Sequence, residues 1–222
     1  MNITVATAAI GTKETPPPPA FRDSRIAYYC ATDRPAIEGW QTVGAASIAN
    51  PRKLARMTKI FAAQGFHESS AVIWVDASFA WLVSPLELAK LALAMDVDIA
   101  AFRHPDRNRI TEEAAEVQRL GMAPVGSVNA QIAAYRAAGF DTDERPQEEL
   151  TTTGLMVFCK RSPAMLDFLD LWREQIDSAT VRDQLSVDYC AWKTGARIGY
   201  LPGHYRANDF VRYERERHRR AA

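Results

Sequence analysis

The sequence predicts an α/β fold, a mostly parallel central sheet flanked by helices. Three observations predict it. Short apolar runs rich in β-branched residues alternate with segments patterned as helices. The runs are apolar at almost every position, which suits strands covered on both faces. Several of them stop abruptly at polar residues: Thr32-Asp33, Asp76-Ala77-Ser78, residues 103–107 and Gly203-His204. Ligands of open α/β sheets bind beyond the carboxyl ends of the strands. Those polar ends are therefore the first places to look for a site.

The elements follow in order. Residues 3–10 form a first strand, ending at Gly11, where the backbone needs close approach. Pro16 to Pro19 make a stiff extended loop. Residues 25–31 form a second strand. Asn50 caps a helix over residues 51–64, with Pro51 at its first position and Gly65 at its end. Leu54, Met57 and Phe61 share one face of it; Arg52, Arg56 and Lys59 share another. Residues 71–75 form the central strand. Ser84-Pro85-Leu86-Glu87 is a capping box opening a helix to about Met95. A strand over residues 97–102 follows, then a helix capped by Thr111 and one over residues 127–138 carrying Gln131 and Tyr135. Residues 150–160 read as a strand around Gly154, and a glycine there marks a bulge or close approach by a ligand. Ser162-Pro163 opens a helix with Met165, Leu169, Trp172 and Ile176 inward. One helix is expected over residues 181–193, with Leu185, Tyr189 and Trp192 inward, then a last strand over residues 197–201. With no repeat or linker, residues 1–210 read as one domain and residues 211–222 as a basic, flexible tail.

Composition narrows the function. Formal net charge is zero over 222 residues, so no overall field favours nucleic acid or an anionic membrane. The tail is the exception, with five arginines against two glutamates from residue 212 to 220. It reads as a solvated terminus or as a polyanion contact. Cys30, Cys159 and Cys190 have no metal-type spacing and suit a reducing compartment. No run is long enough to span a bilayer, and the N-terminus lacks a basic flank and a long apolar core. A soluble, cytoplasmic protein is expected. Gly-rich phosphate loops and a Gly-x-Ser-x-Gly elbow are absent, which disfavours P-loop hydrolysis, hydride transfer and serine hydrolysis.

The stretch Ile73-Trp74-Val75-Asp76-Ala77-Ser78 is the centre of the chain. A carboxylate directly after a buried strand is rigidly held and faces a crevice. Asp76 and Ser78 can anchor a divalent metal and the diphosphate it carries, or they can cap and turn the chain. Asp33 can accept hydrogen bonds from a ribose or base, or begin a turn before Pro35. The stripe of Arg52, Arg56 and Lys59 can be a solvated face or a grip on diphosphate oxygens. Asp183, with Gln184, can project into the crevice as a base or acceptor-orienting group, or simply favour a first helical turn. Asp188 reads as a helix-surface or supporting group. His204 can join Asp76 on a metal whose shell water and phosphate complete.

Together these pieces resemble a glycosyltransferase-like family, long labelled a domain of unknown function, that includes plant proteins linked to turgor regulation and seed mucilage. The matching residues are Tyr28-Tyr29-Cys30-Ala31-Thr32-Asp33, Asn50-Pro51-Arg52 with Arg56 and Lys59, and Ile73-Trp74-Val75-Asp76-Ala77-Ser78. They continue through Asp98-Ile99-Ala100-Ala101-Phe102, His104-Pro105-Asp106-Arg107 and Glu112-Glu113-Ala114. Arg182-Asp183-Gln184-Leu185-Ser186 and Leu201-Pro202-Gly203 complete the set. The resemblance implies a GT-A-like, Rossmann-like fold, a nucleotide-sugar donor (a UDP-sugar before others) and Mn²⁺ or Mg²⁺. The family's Asp-x-Asp metal motif falls on Asp76-Ala77-Ser78, where Ser78 replaces the second acid. The metal set it implies is Asp76, Ser78 and His204. Ala8, Thr32, Asp33, Arg56, Lys59, Asp76, Ala77 and Ser78 are then expected on the donor. His104, Arg107 and Gly154 are expected on the sugar or acceptor, and Asp183 and Gln184 in catalysis. A glycan, small-molecule or protein acceptor is expected; a hydroxylated base in DNA ranks below it, and a non-catalytic nucleotide-sugar-binding module is the remaining alternative.

Overall fold

A computed structural model describes residues 1–45 and 50–214. Seven strands form the central sheet in the order β3-β2-β1-β4-β7-β6-β8. They are β1 (Ile3–Ala9), β2 (Ile26–Thr32), β3 (Gln41–Gly44), β4 (Ala71–Val75), β6 (Ile99–Arg103), β7 (Thr151–Phe158) and β8 (Ile198–Tyr200). β3, β2, β1 and β4 run parallel; β7 alone is antiparallel to both its neighbours, β4 and β6, and β8 returns parallel to β6. All five residues of β4 are buried. Each large side chain there, Ile73 and Trp74 included, contributes roughly 2–3 kcal/mol by leaving water.

One face of the sheet is covered by α2 (Pro85–Ala94), whose Leu86, Leu88, Ala89 and Ala92 pack on β1 and β4. The other carries α1 (Pro51–Gly65), α5 (Pro163–Ser178) and α6 (Val187–Thr194), closed over Trp74, Met156, Phe168 and Trp172. A satellite cluster joins α3 (Ile110–Arg119) and α4 (Val125–Ala137) around Val117, Val128 and Tyr135. Among the described residues no helix is long and apolar enough to cross a membrane.

The caps at Asn50, Ser84 and Ser162 form, each side chain accepting a backbone N–H of the first turn; the expected box at Ser84 does not close, because its Oγ takes the Leu86 N–H and Glu87 pairs with Lys90. Other readings are corrected. Thr111 does not cap α3: Glu112 reaches back to the N–H groups of Asn108 and Arg109, so the cap falls on Arg109 and the helix starts two residues earlier, at Ile110. The single helix expected over residues 181–193 is two pieces, a 3-10 turn Asp183–Leu185 and α6. The Asp183 carbonyl is taken by the Trp172 indole N–H and the Ser186 hydroxyl, which prevents a continuous helical ladder. The inward face of α6 is therefore Val187, Cys190 and Ala191, and Trp192 is exposed. Two three-residue strands escape the pattern. β5 (Phe79–Trp81) pairs antiparallel with β9 (Val211–Tyr213). The first residues of the expected flexible tail thus form a strand, and the arginines beyond Glu214 lie outside the described residues.

Asp188 is half-buried rather than on the helix surface. It accepts from the Thr151 N–H at 3.0 Å and from Gln147 Nε2 at 2.8 Å, which ties α6 to the start of β7. Burial raises its pKa to about 6. Between about pH 4 and 6 the folded state then holds a proton that the unfolded state has released, so stability falls as pH rises through that window. Asp188→Asn removes this dependence and gains about 1 kcal/mol on the parent at pH 7, a figure discounted for partial exposure. Urea midpoints of both proteins from pH 4 to 7 check it.

Candidate active site

The carboxyl ends of β1 and β4 meet α1, at Pro51 in its first turn and at Arg56 and Lys59 further along, and the end of β2 joins that of β1. Gly11, just past β1, adopts φ +60°, and a Cβ there would lie 2.5 Å from Pro51 Cβ. The first loop therefore leans directly on the helix N-terminus, as the expected close approach requires. Its Gly11 N–H donates to Asp33 Oδ2 at 2.9 Å, joining the ends of β1 and β2. Asp33 is exposed. Thr32 is not available to a ligand: it is buried, and its hydroxyl donates to the Ala9 carbonyl at 3.0 Å. Ala8 is half-buried in β1.

The helix α1 splits its basic stripe: Arg52 is exposed, Arg56 half-buried and Lys59 inward. Lys59 is fully buried, while Phe61, expected in the core, is 48% exposed. The reason lies across the sheet. Lys59 Nζ donates to Asp183 Oδ2 at 2.6 Å and to the Thr153 carbonyl at 2.7 Å, and stands 3.6 Å from Asp76 Oδ1. Arg56 Nε lies 3.4 Å from Asp183 Oδ1, and its Nη1 lies 3.8 Å from Asp76 Oδ2. Two cations and two carboxylates thus form a square that joins α1, β4, β7 and the 3-10 turn.

Asp183 is 2% exposed, so it does not project into the crevice as a base. Desolvation pushes its carboxyl up, but Arg56 and then Lys59 overcome it and hold the pKa well below the usual carboxylate range. Its role is to position Lys59 and Arg56. In return Asp183 raises the pKa of Arg56 above its ordinary value. Gln184 is half-buried, and its amide makes no hydrogen bond among the described residues.

Asp76 is the carboxylate of the square that reaches solvent, with a side chain 31% exposed against 3% for Asp183. The Trp74 indole N–H donates to its Oδ1 at 2.8 Å, and its own N–H donates to the Gly154 carbonyl at 2.8 Å. A Cβ on Gly154 would lie 3.5 Å from Asp76 Oδ2 and 3.2 Å from the Phe79 ring. The bare glycine keeps the approach to the carboxylate open, as a strand glycine near a ligand should. Ala77 is buried; the Ser78 carbonyl accepts the Glu214 N–H at 2.8 Å, fastening the rim to the end of β9.

At the end of β6, His104 and Arg107 build a turn. His104 is buried, and its Nδ1 accepts the N–H groups of Asp106 and Arg107, each at 3.1 Å. Burial first, and Arg107 next, lower its pKa to about 4, so the ring is neutral at pH 7. Arg107 Nε donates to the buried Glu113 at 2.7 Å, and its Nη2 is 2.8 Å from His104 Nε2. His104 is thus a structural part of the turn rather than a group open to an acceptor, while Arg107 remains half-buried beside it.

The expected metal ligands do not fit a divalent ion. Both oxygens of Asp76 already face a cation within 4 Å. Ser78 offers only a neutral hydroxyl, and His204 Nδ1 accepts the Arg206 N–H at 3.3 Å within a turn closed by Ala207. Among the described residues no group of three or more His, Cys, Asp or Glu could hold a metal. A further cation of charge two would meet Lys59 and Arg56 at close range with too few carboxylates to offset them.

Sequence reasoning missed Arg182 and Trp74 as site residues. Trp74 reads as core from its strand, yet its indole N–H orients Asp76. Arg182 lies in the Arg182-Asp183-Gln184 stretch, where nothing local in sequence sets it apart from an ordinary residue before a helical turn.

The family described as "TOD1/MUCI70, glycosyltransferase-like domain" matches residues 30–209. No curated protein matches the chain. Among solved structures, mouse xyloside xylosyltransferase 1 in its apo form is similar in fold, with a TM-score of 0.50 at 9% identity over 90% of this chain and 84% of that one. The apo WbbM bifunctional glycosyltransferase gives 0.48 at 11% identity; the match covers 90% of this chain but only 38% of WbbM. The 4-diphosphocytidyl-2C-methyl-D-erythritol synthase of Anaerococcus prevotii gives 0.45 at 9% identity, over 92% of this chain and 88% of that one. The mostly parallel sheet with its flanking helices is of the GT-A type.

Proposed function

Because this chain belongs to the TOD1/MUCI70 glycosyltransferase-like family, we propose that it transfers a sugar from a nucleoside-diphosphate donor, a UDP-sugar before others, to a hydroxyl acceptor. The acceptor is a glycan, a small molecule or a protein. One observation carries the reading: a half-exposed carboxylate, Asp76, at the end of β4, oriented by an indole N–H and backed by Lys59 and Arg56. That is a rigid polar anchor at the sheet edge where α/β folds take their ligands.

The residues divide the work as follows. Asp33, exposed at the end of β2, accepts from the ribose or base. Asp76 accepts from donor hydroxyls in front of Gly154. Arg56 faces the diphosphate, with Lys59 fixing its carboxylate partners from below. Gln184 hydrogen-bonds the transferred sugar or the acceptor, and Arg107 borders the acceptor side. In the reaction the acceptor oxygen bonds to the anomeric carbon as the bond from that carbon to the diphosphate oxygen breaks. The nucleoside diphosphate leaves with the electron pair, and the acceptor proton passes to solvent. Fixed cations aimed at the departing phosphate, with both substrates held in register, supply the acceleration.

Isothermal titration of a panel of nucleotide sugars, each with Mn²⁺ and each with a chelator, tests the reading. Binding of at least one, with release of free nucleoside diphosphate on incubation, is the expected result. A panel that stays silent under both conditions ends it.

A further inference from the structure

Arg182 stands immediately before Asp183, at the entry to the 3-10 turn, and it is half-buried. Its Nε is shut off from solvent and meets no hydrogen-bond partner among the described residues. No carboxylate of the described residues lies within ion-pair distance of its guanidinium. Burial pushes its pKa down; Asp183 pulls it back, and Arg56 and Arg52 lower it again. Glu113, the other acid in reach, is committed to Arg107 at 2.7 Å.

A desolvated guanidinium without an acceptor opposes folding. The neighbouring charges make the surplus plain. Arg56 and Lys59 are matched by Asp76 and Asp183, so Arg182 and the exposed Arg52 are the cations left over. Glu14, on the first loop, is within Coulombic reach of Arg56 but makes no ion pair with it. Arg56 Nε is itself buried and without a hydrogen bond, its distance to Asp183 being an ion-pair contact only. Two guanidinium groups within Coulombic reach of each other therefore each keep a buried Nε–H without an acceptor. Guanidinium bonds phosphate oxygens in pairs, and a diphosphate carries enough negative charge to answer both.

We infer that Arg182, together with Arg56, binds and neutralises the diphosphate of the donor, and that this site does so without a divalent ion. The inference rests on the nucleotide-sugar reading above and adds to it the means of holding the phosphates. The misfit of Asp76, Ser78 and His204 to a metal and the unanswered guanidinium of Arg182 are then two sides of one arrangement.

The test uses the full chain and two probes, UDP and inorganic pyrophosphate, titrated calorimetrically in EDTA and in Mn²⁺. Both probes are expected to bind in EDTA, with UDP within about twofold of its affinity in Mn²⁺. Arg182→Met is expected to weaken both at least tenfold, and Arg182→Lys to restore part of the loss. The Tm of Arg182→Met should equal or exceed that of the parent, because an unanswered buried charge has gone; a residue with a merely structural role would lower it. UDP binding only when Mn²⁺ is present overturns the inference while leaving the donor reading intact. Wild-type affinity in Arg182→Met overturns it too. Failure of UDP and of every nucleotide sugar in both buffers removes the donor reading and the inference together.

Discussion

Asp183→Asn is expected to lower the unfolding free energy by about 3–5 kcal/mol and to abolish transfer. Lys59 is fully buried, and Asp183 is its closest anionic partner at 2.6 Å. Without that charge, Lys59 keeps the Thr153 carbonyl and the more distant Asp76, and Arg56 loses the largest of its electrostatic supports. Removing one member of a buried pair leaves the other uncompensated, which is far worse than removing both. Lys59→Met combined with Asp183→Asn should therefore recover more than half of the lost stability, while transfer stays absent because Arg56 remains misplaced. Urea unfolding of the two single variants and the double variant measures the coupling. A loss below about 1 kcal/mol in Asp183→Asn would show that the square contributes little. The pH dependence has a definite sign. The Asp183 carboxyl titrates below its unfolded value in the folded chain, so its stabilisation is present above about pH 4 and is lost as pH falls further.

Asp76→Ala is expected to reduce kcat/KM for transfer by roughly 10²–10³, the loss typical of removing one preorganised polar group from a reaction centre. Its effect on stability should be small, within about 1 kcal/mol, because the carboxylate is partly solvated and its ion pairs are long. Asp76→Asn separates two contributions. The amide oxygen still accepts the Trp74 indole N–H, so orientation survives while the charge next to Lys59 and Arg56 is lost. An intermediate rate in Asp76→Asn assigns the remainder to charge. Activity within threefold of the parent in Asp76→Ala would sink the proposed function, since Asp76 is the carboxylate of the square that reaches solvent.

The central strand at the site was legible because β4 is apolar throughout and ends at once in an acid. That pattern admits few alternatives, and it placed Asp76 at the sheet edge. The proline and serine helix starts were legible for the same reason: their chemistry is local. What escaped was long-range. The stripe of Arg52, Arg56 and Lys59 has the spacing of a solvated face, and nothing near it in sequence indicates that Lys59 is buried. Its partner Asp183 lies in a different part of the chain, in a segment whose residues favour helix until Ser186 and Trp172 claim a carbonyl. Strands of three residues, as in β5 and β9, carry too little periodicity to be seen. The difference between Asp183 and Asp76 was likewise hidden: both are acids beside polar neighbours, and only packing decides which one meets solvent.

The pairing of β5 with β9 sets a timetable for assembly. The lip of the crevice beside Ser78 is fastened by the Glu214 N–H, and Phe79 lies opposite Tyr213. On a ribosome, the sheet from β1 to β7 can therefore form while that lip is still open, and the crevice acquires its finished outline only after residues 211–214 have emerged. A nascent chain stalled earlier would carry its buried charges in place but an unlatched rim.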